Sequence, residues 1–157
     1  MVTDHKLDKL MGPSGTAAGY SLVIFGLITT YFHRAGLIPL MAGMFMAFTY
    51  DGTLIDFSTR RIKAYRSLFG LLKTGKWYDI SFFNKFRIYK SNRTYKSYSQ
   101  ANIPSEVKKT DIRLMLLNND GSLKITVNKF NSFEEARKEM AELIRDLNMT
   151  GLKEWII

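Results

Sequence analysis

The stretch from Leu10 to Phe32 contains no charged side chain, and this feature limits the fold of the chain more than any other. Its latter part, from Ala18 to Phe32, consists mostly of apolar residues, glycine and threonine. A helix rises about 1.5 Å per residue, so about 20 residues cross a hydrocarbon core roughly 30 Å thick. The stretch therefore predicts a membrane-spanning helix.

A second uncharged run follows after the short polar segment from His33 to Gly36 and extends to Tyr50. It is shorter than the first run, and Pro39 falls in its first turn, where proline is tolerated. Because the connection is so short, the two helices must be antiparallel. We therefore predict a transmembrane helical hairpin. The predicted division of the chain is a cytoplasmic N-terminal segment at 1–9, the hairpin at 10–50 and a cytoplasmic domain at 51–157.

Two other interpretations of the apolar runs remain open at this stage. A cleavable signal peptide fits poorly, because Asp4 and Asp8 balance Lys6 and Lys9, no small-x-small cleavage site follows, and a second apolar run comes at once. A buried helix pair in a soluble protein is the other alternative, since the second run is only marginally long enough to span a membrane.

Small residues recur along both runs and would allow close helix contact. We expect them to pack the hairpin against itself, with a homo-oligomer interface as the alternative. The candidate packing residues are Gly15, Gly19, Gly26, Gly36 and Gly43.

Basic residues predict the orientation of the hairpin in the membrane. The turn between the helices holds only His33 and Arg34, whereas the segment after Tyr50 is rich in Lys and Arg. By the positive-inside rule both termini face the cytoplasm, which in a bacterium places the domain at the inner face of the cytoplasmic membrane. The cations of this segment are Arg60, Arg61, Lys63, Arg66, Lys73 and Lys76.

Beyond Asp51 the apolar pattern changes to alternation, which is typical of half-buried strands. The clearest turn is Asn118–Gly121, whose residues tolerate positive φ between two strands. Residues 61–72 also fit a helical stripe and could instead form an interfacial amphipathic helix. The predicted strands are Thr53–Phe57, Arg61–Leu68, Trp77–Phe83, Phe86–Lys90, Thr94–Tyr98, one around Ile112–Leu116 and one around Leu123–Val127.

The last segment has helical periodicity. Ser132 followed by Glu135 forms a capping box, and apolar residues from Phe133 to Leu147 then fall on one face. The helix is expected to stop near Asn148, before Gly151. The predicted fold class is thus α+β: a transmembrane hairpin, then a seven-stranded antiparallel barrel or sandwich closed by a C-terminal helix.

This layout resembles the small bacterial membrane proteins in which a two-helix hairpin precedes a pleckstrin-homology-like domain. The resemblance implies a membrane-tethered adaptor or lipid-proximal domain, with no catalytic residues and no cofactor. The residues that carry it are Asp56, Arg60, Arg61, Ile62, Phe69, Gly70, Gly75, Lys76, Trp77, Phe133 and Ala136.

The charge balance indicates the class of partner that the protein binds. The chain has 23 Lys and Arg against 14 Asp and Glu, which points to a polyanionic partner. For a tethered domain the economical partner is anionic lipid headgroups, although these cations could also be ordinary solvated strand faces. The predicted headgroup or partner contacts are Arg60, Arg61, Lys63, Arg66, Lys73 and Lys76. Nucleic acid is disfavoured, because the consensus of an RNA-recognition sheet is absent.

An enzyme is not expected. The chain has no cysteine, no phosphate-binding loop and no set of spaced metal ligands. We also expect neither His5 nor His33 to join a cytoplasmic carboxylate. Two function classes remain: a membrane-anchored binding or scaffold protein, and a small accessory subunit whose hairpin contacts a protein partner within a larger membrane complex.

Overall fold

The computed structural model describes residues 1–98, 104–149 and 153–156 of the chain. These residues form eight strands, three α-helices and two 3₁₀ turns. In chain order they are β1 (Val2–Lys9), α1 (Gly12–Phe32), a 3₁₀ turn (Arg34–Gly36), α2 (Leu37–Phe48), β2 (Tyr50–Asp56), β3 (Arg61–Leu68), β4 (Leu72–Asp79), a 3₁₀ turn (Ile80–Phe82), β5 (Lys85–Tyr98), β6 (Pro104–Leu117), β7 (Lys124–Phe130), α3 (Phe133–Asp146) and β8 (Lys153–Ile156).

The strands form two four-stranded sheets, ordered β1-β2-β3-β4 and β7-β6-β5-β8. The predicted α+β class is confirmed. The expectation of seven antiparallel strands is wrong, because β1 and β8 add strands at the two ends of the chain and β8 runs parallel to β5. Each sheet retains two edge strands, so neither closes on itself.

Several predicted strand boundaries need correction. Residues 91–93 do not interrupt a strand, because β5 pairs with β6 without a break from Lys85 to Tyr98. Lys73–Gly75 likewise lies inside β4. Residues 61–68 form a strand, as the alternation predicted, and the helical alternative for 61–72 is wrong. Polar residues fail as strand breakers here because hydrogen bonding to a neighbouring strand outweighs local preference.

The chain divides into two compact units. The first, called the stranded unit, comprises Met1–Leu7, Thr53–Ala64 and Lys76–Ile157. The second, called the helical unit, comprises Asp8–Gly52 and Tyr65–Gly75 and contains α1 and α2.

The stranded unit has one apolar core, which α3 helps to build. Ala136, Met140 and Leu143 of α3 are buried with side chains from five of the strands and from the second 3₁₀ turn. The strand and turn residues of the core are Ile55, Ile62, Ile80, Phe83, Phe86, Ile88, Ile112, Leu114, Leu116, Ile125 and Val127.

Both ends of α3 are fixed as the sequence predicts. The Ser132 hydroxyl accepts a hydrogen bond from the N–H of Glu135 at 3.2 Å, and the Glu135 carboxylate reaches back to the N–H of Asn131 at 3.3 Å. At the other end Asn148 has φ 51°, and the N–H of Met149 donates to the carbonyl of Ile144. This is the Schellman arrangement, which ends a helix with a left-handed residue.

The turn between β6 and β7 has Gly121 at φ 69°, as the sequence predicts. A Cβ built at Gly121 would meet no atom within 4 Å, so only backbone strain opposes substitution. We expect Gly121→Val to destabilise the stranded unit by about 1–2 kcal/mol, because a β-branched residue is strained at positive φ. Gly121→Asn is the control, since asparagine tolerates this conformation. Thermal unfolding of the purified protein in detergent compares the two variants, and equal melting temperatures would contradict the strain argument.

Candidate membrane-interface site

Glycines bring α1 and α2 into direct backbone contact. A Cβ at Gly26 would lie 2.6 Å from the Cα of Leu40, and one at Gly19 would lie 2.6 Å from the N of Ala47. From the opposite helix, a Cβ at Gly43 would lie 2.6 Å from the N of Val23. These pairings run in opposite directions along the two helices, so α1 and α2 pack antiparallel.

The other two glycines of the predicted packing set have different surroundings. A Cβ at Gly15 would meet the Met11 side chain, with the two Cβ atoms 2.5 Å apart, and no residue of α2 is among its nearest neighbours. Gly36 lies in the 3₁₀ turn rather than in α2, and its Cβ would lie 2.5 Å from the carbonyl carbon of Thr29. Gly36 therefore fits the turn against the end of α1.

The outer surface of the helix pair is apolar. The residues of α1 that are buried are Gly12, Gly19 and Gly26, whereas most of its large apolar side chains are exposed. This arrangement is the reverse of a helix in a soluble protein, where the large apolar side chains face the core. The exposed side chains include Ile24, Phe25, Leu27, Ile28, Tyr31 and Phe32 of α1, with Leu37, Ile38 and Met41 of α2.

By length and composition, α1 is the one helix among the described residues that is long and apolar enough to cross a membrane. A signal sequence near the N-terminus meets the same test. Only 11% of its apolar window is buried, which disfavours the core helix of a soluble protein. The apolar helix that includes α2, from Arg34 to Phe48, is shorter.

The end of the pair where α1 begins and α2 ends is here called the helix base. Lys9 lies at this end, and its Nζ donates to the carbonyl of Ala47 at 2.6 Å. The ammonium also lies 5.8 Å from the ring centre of Tyr20 and 5.9 Å from that of Phe48. A cation that satisfies a carbonyl at the C-terminal end of a helix stabilises that end.

The turn between β3 and β4 contacts the helix base. The ring of Phe69 lies 5.7 Å from that of Phe45, edge to face, and the Phe69 N–H donates to the Thr49 hydroxyl at 3.4 Å. Gly70 follows, and a Cβ there would lie 3.6 Å from the Cβ of Phe48. The turn is thus held against the last turn of α2.

The six cations of the predicted headgroup site are divided between the units. Arg66 and Lys73 belong to the helical unit. Arg66 pairs with Asp51 at 2.8 Å, a contact that raises the pKa of the guanidinium. The Lys73 ammonium lies 5.0 Å from the ring centre of Tyr65. Both cations therefore have neighbours within their own unit.

Arg60, Arg61, Lys63 and Lys76 belong to the stranded unit. The guanidinium of Arg60 donates to the carbonyl of Leu147 just after α3, so its role includes capping that helix. Lys63 lies over the ring of Trp77 at 5.8 Å. Lys76 is exposed, and its side chain makes no hydrogen bond or ion pair with the described residues.

Arg61 and Arg60 also influence an exposed carboxylate. The pKa of Asp79 is held below its ordinary value, first by the hydrogen bond from Ser81 and to a smaller extent by Arg61 and Arg60. The hydrogen bond joins the N–H of Ser81 to the carboxylate at 2.9 Å. Asp79 therefore stays ionised and offsets part of this positive charge.

Sequence reasoning missed two features of the helix base. The sequence indicates Lys9 only as part of the balanced charge before the first apolar run, although its place directly before that run could have indicated a helix-end contact. No feature of the sequence singles out Leu71, and Leu72 fits the helical alternative for residues 61–72. The structure leaves their side chains exposed, at 80% and 63%.

The expectation that neither histidine meets a carboxylate is wrong for His5. Because residues 2–9 form a strand, the Nε2 of His5 lies 3.8 Å from a Glu139 carboxylate oxygen. Burial lowers the pKa of His5, and Glu139 and Asp4 oppose this shift. The distance is longer than a hydrogen bond. No group of three His, Asp or Glu in the described part of the chain could hold a metal ion.

Comparison of the chain with protein-family models, with curated proteins and with solved structures finds no match. The resemblance to membrane proteins with a pleckstrin-homology-like domain therefore stays a prediction.

Proposed function

We propose that this protein is a membrane-anchored, non-catalytic binding or scaffold protein. The α1–α2 pair anchors it in the bilayer, and its basic stranded domain lies at the inner face of the membrane. The observation that carries the proposal is the inverted burial of the helix pair, with glycines inside and large apolar side chains outside. Each such side chain gains about 1.5–3 kcal/mol on leaving water, and lipid supplies that environment.

The pairing of β1 with β2 supports an anchor rather than a cleaved signal peptide. The carbonyl of Met1 accepts from the N–H of Phe57 at 3.1 Å, and the N–H of Leu10 donates to the carbonyl of Thr49 at 3.2 Å. Cleavage after α1 would remove β1 from its sheet. The same pairing supports a topology in which the chain returns to the side of the membrane from which it entered.

The two helices differ in length. At about 1.5 Å per residue, α1 is about 31 Å long and α2 is about 18 Å long. Local thinning of the bilayer accommodates the shorter helix α2. The Arg34 side chain at the turn can extend toward the headgroups of the far leaflet.

Cysteine labelling tests this topology. The chain has no cysteine, so single cysteines at Ser14, Ala35 and Ser58 report without background. In intact cells an impermeant thiol reagent should label the cysteine at Ala35 and spare those at Ser14 and Ser58. Lysed cells provide the control that the Ser58 site is reactive. Labelling at Ser58 in intact cells would overturn the orientation. Protection at Ala35 would mean that the turn between the helices does not reach the outer side of the membrane.

The contribution of anionic lipid is a separate prediction. The variant reverses Arg61 and Lys76 to Glu, because Arg60 and Arg66 are engaged with Leu147 and Asp51 and their reversal would disturb packing. A cation near an anionic membrane gains about 1 kcal/mol, so we expect the preference for anionic lipid to fall about fivefold for each cation lost.

The measurement uses the full-length protein reconstituted in membranes with spin-labelled anionic or zwitterionic lipid. The motionally restricted fraction of each label gives the preference, and added salt should weaken it. Reversal of Lys138 and Arg145 on α3 is the matched control. If both variants lose the preference for anionic lipid equally, Arg61 and Lys76 are excluded as headgroup contacts. A stoichiometric protein partner retained in mild detergent would instead favour an accessory subunit.

A further inference from the structure

The turn that joins β3 to β4 has an unusual composition for an exposed turn. Its central residues, Phe69 and Gly70, have φ 54° and 72°, and the N–H of Leu71 donates to the carbonyl of Leu68 at 3.1 Å. Positive φ at both central residues is what a tight two-residue hairpin requires, and asparagine, aspartate and glycine are the usual choices. A phenylalanine in this conformation is strained.

The strain of Phe69 is offset by contacts to α2. Its ring packs against Phe45, and its N–H donates to Thr49. These contacts fix the turn at the level where α2 ends. If the helix pair lies in a bilayer, this level is the boundary between acyl chains and headgroups, and Lys9 at the helix base is placed among the headgroups.

Two leucines follow the strained turn, and the described residues leave both of them exposed. Leu71 and Leu72 are 80% and 63% exposed, although each would gain free energy by leaving water. Lys73 comes next, with its ammonium over the ring of Tyr65. Apolar side chains followed at once by a cation and an aromatic ring are the composition of segments that insert at a membrane interface.

We propose that the β3–β4 turn is a third membrane-inserted element, beside α1 and α2. Leu71 and Leu72 enter the acyl boundary of the leaflet at the helix base, and Lys73 binds lipid phosphates there. The bilayer is the committed partner, because the turn is continuous with the helix base and its flanking charge is positive. This inference rests on the proposed membrane anchor and adds a contact that fixes how the helical unit meets the lipid.

The test uses the full-length protein with single cysteines that carry an environment-sensitive fluorophore. The cysteines are placed at Leu71, at Ile28 on the exposed face of α1, and at Ser58 in the polar turn after β2. Each labelled protein is reconstituted in vesicles that contain a lipid-borne quencher, either shallow or deep, and iodide is the aqueous quencher. Circular dichroism confirms that each labelled protein is folded.

We expect the Leu71 label to shift to the blue, to be quenched most by the shallow lipid quencher and to be protected from iodide. The Ile28 label should respond to the deep quencher, and the Ser58 label to iodide. An iodide-accessible label at Leu71 together with a lipid-quenched label at Ile28 would overturn this inference alone. A label at Ile28 that no lipid quencher reaches would overturn the membrane anchor itself.

A second variant excludes burial of the turn by protein. Replacing Lys73 with Glu should move the Leu71 label toward water, as a lower blue shift and a gain in iodide quenching, because a carboxylate is repelled by anionic headgroups. Lys124→Glu is the matched control, since it makes the same charge reversal at an exposed position on β7, in the stranded unit. A Leu71 label that is shielded from iodide and from both lipid quenchers would overturn the inference in favour of a protein contact.

Discussion

Replacing Asp111 with alanine is expected to destabilise the stranded unit by about 3–5 kcal/mol. Asp111 and Arg113 lie two residues apart on one face of β6, with the Arg113 guanidinium 2.7 Å from a carboxylate oxygen. Their side chains are only 8% and 4% exposed. Removal of the carboxylate takes a charged hydrogen-bond partner at 2.7 Å away from a buried guanidinium, and water cannot readily replace it at that depth.

The control is a second ion pair of nearly the same length on the surface. Arg66 and Asp51 are 2.8 Å apart, but their side chains are 51% and 41% exposed. Asp51→Ala should therefore cost about 0–1 kcal/mol. Urea unfolding of the full-length protein in detergent measures both variants. Equal losses would contradict the argument that burial sets the cost.

Replacing both members of the buried pair distinguishes charge from packing. One carboxylate oxygen of Asp111 has no hydrogen-bond partner among the described residues. An incompletely satisfied pair contributes little net stability, so Asp111→Leu with Arg113→Met should recover most of the loss caused by Asp111→Ala. A double variant as unstable as the single one would show that side-chain shape, rather than the loss of the charged partner, determines the cost.

The second large effect is expected for Gly26→Leu. The Cβ alone would come within 2.6 Å of the Leu40 Cα, and backbone atoms cannot yield as a flexible side chain can. Overpacking costs about 1–3 kcal/mol in cores, and this backbone contact should reach the upper end of that range or separate the helices. Thermal inactivation in detergent and protease cleavage near Ala35 report the separation.

Ala18→Leu is the matched control for Gly26→Leu. It adds the same side chain to the same helix at an exposed position, where it would meet lipid or detergent. We expect a melting temperature close to that of the unmodified protein. If both variants lower it equally, helix contact at Gly26 is not what limits the stability of the pair.

The sequence predicted those parts of the fold that depend only on neighbouring residues, such as helix ends and turns. Ser132, Asn148 and Gly121 act through their own backbone conformation or a hydrogen bond a few residues away, and the structure places all three as expected. The alternation in residues 61–68 also identified β3 with its observed bounds.

Elements that depend on a distant partner were missed. β1 is a charged, alternating segment that forms a strand only because β2 hydrogen-bonds to it, and β8 depends in the same way on β5. The contact of His5 with Glu139 was missed for the same reason, because His5 lies on β1. At the candidate site, the sequence indicated small helix faces and positive charge. It could not show that Phe69 binds the turn to α2, because that contact depends on the tertiary arrangement.

The position of β1 also sets the order in which the chain can fold during synthesis. Residues 2–9 leave the ribosome before their partner strand, which follows only after residues 10–49. A flexible connection of that length would lose considerable conformational entropy on closure. When α1 and α2 pack against each other, they bring Leu10 and Thr49 together before the strands meet. Packing of the two helices would then be the nucleating step for the sheet that contains β1 and β2.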